Sequence, residues 1–301
     1  MTLWIHVGSH KTGTTSIQNT FFGSRDVLEA AGLIYPTNIL GTAWSGRGKL
    51  SQLFVAEGVV GDHLSAFAAR WPGQNLMLSA EGFEHYSLQQ RKRLAATALK
   101  HYDDVRLIIY FREPLSLVAS RVSTRIRRGV MRFEGGWARL PTYDYALELR
   151  GWIDAFGKDR VIARAFDRAQ MVGGDVVDDI LSVMGLDGGQ LALDRVSRNE
   201  RISLRAALVV DALAARVRPL PQQLLNRAVR LPGERLALPG AVLEKVARAN
   251  ANGVRWLAET SGVVLPQSKE IAMEDCQPVD VAPDVEHLLS LHAAEQGSPA
   301  G

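Results

Sequence analysis

A chain of 301 residues with 47% hydrophobic and 22% charged residues can bury a sizeable core, and its ordinary composition excludes disordered and disulfide-stapled classes. The 35 Lys and Arg against 32 Asp and Glu leave a net charge of +3, which suits an anionic ligand but is too small to argue nucleic-acid binding. Cys276 is the only cysteine, which excludes an intramolecular disulfide and a cysteine metal cluster, and no apolar run approaches the roughly 18 residues of a membrane span.

The first predicted element is a strand, Leu3–Val7, beginning so early that no signal peptide has room before it, which leads to the expectation of a soluble, cytoplasmic protein. It runs into Gly8-Ser9-His10-Lys11-Thr12-Gly13-Thr14-Thr15-Ser16, and Ile17, Phe21 and Phe22 open a helical pattern behind that loop. A Gly-rich loop at a helix N-terminus binds phosphate-like anions, because its N–H groups lack helical partners and the helix dipole favours negative charge. The nucleotide-triphosphate loop reads G-x-x-x-x-G-K-[ST]. Gly8, Gly13 and Thr15 fall on its glycines and hydroxyl, but Thr14 stands at the lysine position and the only lysine lies earlier, at Lys11. The cradle is kept and the cation has moved.

A helix is expected within Gln52–Arg70, and then a second strand, Asn75–Ser79. It exits into Ala80-Glu81-Gly82-Phe83-Glu84-His85, with Ser87 as a plausible N-cap for a helix Leu88–Tyr102. The third strand, Val105–Phe111, exits into Arg112-Glu113-Pro114-Leu115-Ser116-Leu117-Val118-Ala119-Ser120. Pro114 suits a helix first turn. An Arg at the strand exit offers a fixed fork of donors to a second phosphate, and a serine further along the helix adds a hydroxyl. Arg121, Arg125, Arg127, Arg128 and Arg132 follow, either as a solvated helix face or as a surface for an anionic acceptor.

A fourth strand is expected over Arg160–Phe166. Strands alternating with helices predict a parallel sheet with its ligand at the carboxyl ends of the strands. Beyond Gly185 the character changes: Ser203–Val217 and Ala241–Thr260 are amphipathic, joined by a stretch holding Pro219, Pro221, Pro232 and Pro239. From about Pro266 the chain is mixed and acidic, and Gln296–Gly301 are expected to fray.

The stretch HVGSHKTGTTSIQ resembles the phosphosulfate-binding loop of sulfotransferases that use 3'-phosphoadenosine 5'-phosphosulfate (PAPS), and LIIYFREPLSLVASRV resembles that family's 3'-phosphate motif. The family's fold is a P-loop-like α/β core: three layers with a central parallel sheet flanked by helices. It is expected to span residues 1–200 here, followed by an expected C-terminal helical subdomain at 201–265 packed on the core and an extension at 266–301. The resemblance implies cofactor contacts at Lys11, Thr12, Gly13, Thr14, Thr15, Ser16, Arg112 and Ser120, and no metal. LSAEGF resembles the S-x-E-x-F pattern of bacterial members, which implies Glu81 as the base that deprotonates the acceptor. Glu81 as a helix cap is the competing role, and His85 and His10 are rival bases. Lys11 would stabilise charge on the leaving oxygen, with His10 beside it.

Tyr143–Leu186 resembles a further segment of bacterial sulfotransferases, with Trp152, Phe156 and the apolar positions of Val176–Met184 expected in the core. The basic loop that holds the nucleotide in the soluble small-molecule enzymes is absent, with only a faint echo in Arg127-Arg128-Gly129. Arg195, Arg198 and Asn199 are alternative sources of charge. The resemblance implies a hydroxyl, less readily an amine, of a carbohydrate or glycolipid as acceptor, and no nucleic-acid partner. A nucleotide-dependent kinase and a catalytically inactive nucleotide-binding relative are the alternatives on the same core.

Overall fold

The computed structural model describes residues 1–36, 38–39, 42–43, 59–133, 137, 143–196 and 201–297. The chain divides into two compact units, each assembled from three segments. The first comprises Met1–Arg112, Asp144–Arg198 and Asn252–Pro266, and the second Glu113–Tyr143, Asn199–Ala251 and Gln267–Gly301. The boundaries expected at 200 and 265 follow sequence order, whereas these units interleave. The helix Gly240–Ser261 contributes to both.

The first unit is an α/β fold built on a five-stranded parallel sheet. Its strands are β1 (Thr2–Val7), β2 (Leu33–Ile34), β5 (Asn75–Ala80), β6 (Asp104–Phe111) and β7 (Val161–Ala165), in the order β2-β5-β1-β6-β7. A hairpin of β3 (Asn38–Ile39) and β4 (Thr42–Ala43) stands apart from it. Four of the five sheet strands match the sequence expectation to within a residue or two. The two-residue β2 was not foreseen, because two apolar residues carry no periodicity.

Central strand β1 is paired on both sides, Ile5 opposite Leu78 of β5 and opposite Leu107 of β6. Leu3, Ile5 and Val7 are buried, as are Leu107, Ile108, Ile109 and Tyr110. A near-continuous apolar run of this kind is what a strand covered on both faces requires. One face carries His6 and Tyr110, whose rings meet edge to face at 6.0 Å. It is covered by α1 (Thr14–Gly23), through Gln18, and by the helix Val176–Val183, through Asp179. Buried Asp179 accepts from the Tyr110 hydroxyl at 2.7 Å and the Val172 N–H at 3.1 Å, and pairs with Arg164 of β7. The other face carries Phe111 against Tyr145. It is covered by the helices Leu88–His101 and Tyr145–Phe156, which are tied together by the buried Arg91–Glu148 pair at 2.7 Å. Trp152 and Phe156 are in this core, as expected.

The helix termini are set by local chemistry. Ser87 and Gln90 form a capping box at Leu88–His101, so Ser87 is the N-cap the sequence predicts. Of the expected helix Gln52–Arg70, the part Val59–Arg70 is helical and the rest lies outside the described residues.

The second unit is helical. Its helices are Pro114–Arg127, Leu204–Arg216, Gln222–Ala228, the first half of Gly240–Ser261, and Ala282–Gly297. Val118, Val122, Ile126, Val209, Leu213, Leu224, Leu238 and Leu288 form its core. Two of these helices were not foreseen. Gln222–Ala228 begins behind Pro221, inside the proline-rich stretch read as a joint. In Ala282–Gly297 the buried Val285 and Leu288, three apart, sit in an acidic context that masks the apolar stripe. Gln296 and Gly297 complete that helix, and the remaining expected fray at 298–301 lies outside the described residues. Among the described residues no helix is long and apolar enough to cross a membrane.

Candidate active site

Strand order explains why three loops converge. The chain leaves β1 toward β2 and β5, then crosses back to β6 on the other side. Such a switch in direction opens a crevice at the carboxyl ends of the strands. Here it receives residues 8–16 from β1, 81–85 from β5 and Arg112 from β6.

The loop after β1 is anchored first by its backbone. The Gly8 N–H donates to the Ala80 carbonyl at 3.0 Å, joining the exits of β1 and β5. The Thr12 hydroxyl donates to the Ser9 carbonyl at 2.6 Å, and the Thr14 hydroxyl reaches the same oxygen at 3.4 Å. Both glycines are required by space. A Cβ on Gly8 would stand 2.6 Å from the Thr14 methyl and 3.0 Å from the Glu81 nitrogen. A Cβ on Gly13 would stand 2.8 Å from Val176 and 2.9 Å from the Phe166 ring. Gly13 is the N-cap of α1 in the left-handed region, and no side chain caps the helix start. The N-terminus therefore offers uncapped donors and the positive end of a dipole, the arrangement that holds a phosphate-like group. Thr12 and Thr14 are buried within the loop, whereas Thr15 is exposed and Ser16 half-buried.

Lys11 is the one non-glycine among the described residues with a positive φ, at 69°. A side-chain-bearing residue held there costs on the order of 1–3 kcal/mol and persists only when its surroundings impose it. Arg112 is part of that imposition, since its Nη1 donates to the Lys11 carbonyl at 2.8 Å. The same guanidinium stacks over Phe166 at 5.4 Å. Tyr145 fixes the Arg112 backbone by donating its hydroxyl to the Arg112 carbonyl at 2.6 Å.

Glu81 opens a short 3-10 turn, Glu81–His85, directly after β5. The helix that starts at Leu88 is capped by Ser87 and Gln90 rather than by Glu81. His10 lies between two carboxylates. Its Nδ1 is 3.5 Å from Glu81 Oε2, and its Nε2 is 3.1 Å from Glu84 Oε1. Its main-chain N–H donates to Glu84 Oε2 at 2.9 Å. His85, the other rival base, is exposed and stands 3.7 Å from Glu84. His10, Glu84 and His85 also place possible metal-ligand atoms within 4.8 Å of one another. A tetrahedral zinc with bonds of about 2.1 Å would need them drawn together to about 3.4 Å.

Beneath the loop, fully buried His6 meets the Ser79 hydroxyl through Nδ1 at 2.8 Å, and Gln18 donates to Ser79 Oγ at 3.3 Å and to the Ser79 carbonyl at 3.1 Å. Burial drives the His6 pKa down to about 3, against the nearby Glu81 charge, which raises it.

The structure therefore brings together Lys11, Thr12, Gly13, Thr14, His10, Glu81 and Arg112 in one unit. Ser120 belongs to the second unit and is half-buried, and its carbonyl accepts from the Thr124 hydroxyl. Ser116, four residues before it, donates instead to Glu270, which also pairs with Arg201. Arg195 pairs with Asp178. Arg198 and Asn199 lie outside the described residues. Sequence reasoning passed over Glu84 and Phe166. Phe166 was readable only as the end of a strand, and Glu84 only as one acid among two in its turn.

No protein-family profile matches the chain. A stretch of 133 residues is 23% identical to an uncharacterized protein of Archaeoglobus fulgidus, covering 40% of this chain and 37% of that protein. This chain thus spans little more than a third of that relative. A crystal structure of a sulfotransferase from Alicyclobacillus acidocaldarius is similar over 87% of this chain and 96% of that one, with a TM-score of 0.44 and 15% identity. At these levels neither likeness assigns an activity to the chain.

Proposed function

We propose that the protein is a PAPS-dependent sulfotransferase acting on a hydroxyl of a carbohydrate or glycolipid. The observation that carries this reading is the loop at residues 8–16. It keeps an uncapped helix start and two space-limited glycines, but has Lys11 in the strained turn and Thr14 where a triphosphate loop has its lysine. The residues fit the group, since they offer main-chain donors, hydroxyls and cationic side chains toward anionic oxygens. Bound there, PAPS supplies the activated sulfuryl group.

The chain's own residues then have separable tasks. The uncapped N–H groups of α1, with Thr14, Thr15 and Ser16, hold the 5' end. Arg112, at the exit of β6, meets the 3'-phosphate. Ser120 is assigned to the same phosphate on the sequence motif alone. Glu81 would take the proton of the acceptor hydroxyl, so that the freed oxygen could accept the sulfuryl group that bound PAPS would supply, with the adenosine bisphosphate as leaving group. The Lys11 ammonium would stabilise the negative charge left on the bisphosphate, more in the transition state than before it.

Calorimetric titration with adenosine 3',5'-bisphosphate, set against ATP with magnesium, tests the reading. Tight binding of the bisphosphate without metal is expected. Preference for magnesium ATP would instead assign the loop to a kinase, and bisphosphate binding without any sulfuryl transfer would point to an inactive relative.

A further inference from the structure

Both Glu84 carboxylate oxygens meet His10, while the exposed His85 Nε2 stands beyond hydrogen-bond reach of Oε1 at 3.7 Å. Oε2 accepts from the His10 main-chain N–H at 2.9 Å, and Oε1 lies 3.1 Å from His10 Nε2. The Glu84 side chain is only 5% exposed, while those of His10 and Glu81 are each 38% exposed. A carboxylate this enclosed must have its oxygens met by donors. The proton of the imidazole therefore belongs on Nε2, facing Glu84. That leaves Nδ1, the ring's acceptor, turned toward Glu81 Oε2 at 3.5 Å.

We infer that Glu84 is a positioning residue that fixes His10 in its Nε2–H form, so that Glu81, His10 and Glu84 make a proton relay. The inference rests on the sulfotransferase reading for its chemistry and on geometry alone for its orientation. In the relay, the acceptor's proton passes to Glu81 and then to His10 Nδ1. Glu81 returns to its carboxylate form, and the imidazolium is held between two carboxylates until solvent removes the proton. A base oriented by a third group is a recurring solution in acid–base catalysis. The main-chain bond gives Glu84 a second effect, because residue 10 directly precedes strained Lys11.

Glu84→Gln separates the two effects. The glutamine Oε1 can still accept from the His10 N–H. Its NH₂ then faces Nε2, and the two are satisfied together only if that ring nitrogen becomes the acceptor and the proton moves to Nδ1. Two-bond ¹H–¹⁵N correlation on histidine-labelled protein reads the tautomer, with His10→Gln identifying the His10 signals. Wild type is expected as Nε2–H and Glu84→Gln as Nδ1–H. In the glutamine variant kcat should fall on the order of tenfold or more, with KM for PAPS within about threefold. Glu84→Ala, which also loses the backbone clamp, should raise KM as well. An Nδ1–H ring in wild type overturns the inference whatever the variants do. So does an unchanged tautomer or an unchanged kcat in folded Glu84→Gln. If wild type transfers no sulfuryl group, the function fails, but the tautomer comparison still decides whether Glu84 orients His10.

Discussion

The Arg112 guanidinium donates to the main-chain carbonyl of Lys11 at 2.8 Å, across 101 positions of sequence. The residue proposed to meet the 3'-phosphate thus also holds the backbone of the residue proposed to stabilise the leaving group. Arg112→Ala should weaken discrimination between adenosine 3',5'-bisphosphate and the analogue lacking the 3'-phosphate by about 2–3 kcal/mol. Because Lys11 loses a restraint on its positive φ, kcat should fall as well. Arg112→Lys keeps charge but not the fork, so it should recover part of the affinity and little of the kcat. Calorimetry and steady-state kinetics on the three proteins check this. Equal discrimination by all of them would place the 3'-phosphate elsewhere.

Lys11→Ala removes the ammonium while the φ of 69° remains imposed on residue 11. Turnover should fall on the order of a hundredfold or more, by analogy with loss of an oxyanion donor. Lys11→Gly relaxes the backbone and removes the same charge, so it should be at least as stable as Lys11→Ala and no more active. Thermal melts beside rate measurements separate strain from charge. Near-normal turnover in either variant would reject the electrostatic role.

Buried His6 should make the protein's stability depend on pH. Its pKa is about 3 in the folded state and about 6.5 when exposed, so between those values the unfolded chain binds more protons. Stability therefore rises with pH across this window and is lost on acidification, at up to about 1.4 kcal/mol per pH unit from this group. Denaturant melts across the upper part of that window, from about pH 4 to about pH 7, should show a steeper dependence in wild type than in His6→Gln. Parallel slopes would mean that His6 charges without unfolding.

The sheet was legible because parallel strands covered on both faces are written as short apolar runs, as in VRLIIYF. The anion loop was legible because its strand, glycines and helix are contiguous. What escaped depended on contacts distant in sequence. Glu84 meets His10 across 74 positions, and only the 3-10 turn that brings it back under the loop distinguishes it from Glu81. Phe166 limits Gly13 from just beyond the end of β7, far along the chain. The interleaved units could not be read because helix Pro114–Arg127 follows β6 without a composition break.

Glu81→Gln tests the chemistry most directly. Glutamine keeps the shape and one acceptor oxygen but cannot take the acceptor's proton near neutral pH. Binding of adenosine 3',5'-bisphosphate should survive, while sulfuryl transfer falls on the order of a hundredfold or more. The acidic limb of the wild-type pH–rate profile should disappear with the carboxylate. A role in capping predicts the opposite pattern: a stability loss of about 1 kcal/mol and a normal rate per folded molecule. The capping box of Ser87 and Gln90 already serves the next helix, which favours the catalytic outcome. The relay adds a finer expectation. In the Glu81→Gln background no proton is handed on, so a second substitution at Glu84 should cost little more, and the two effects should be far from additive. Full additivity would separate Glu84 from the proton path, and a folded, fully active Glu81→Gln enzyme would move the base to His10 or His85.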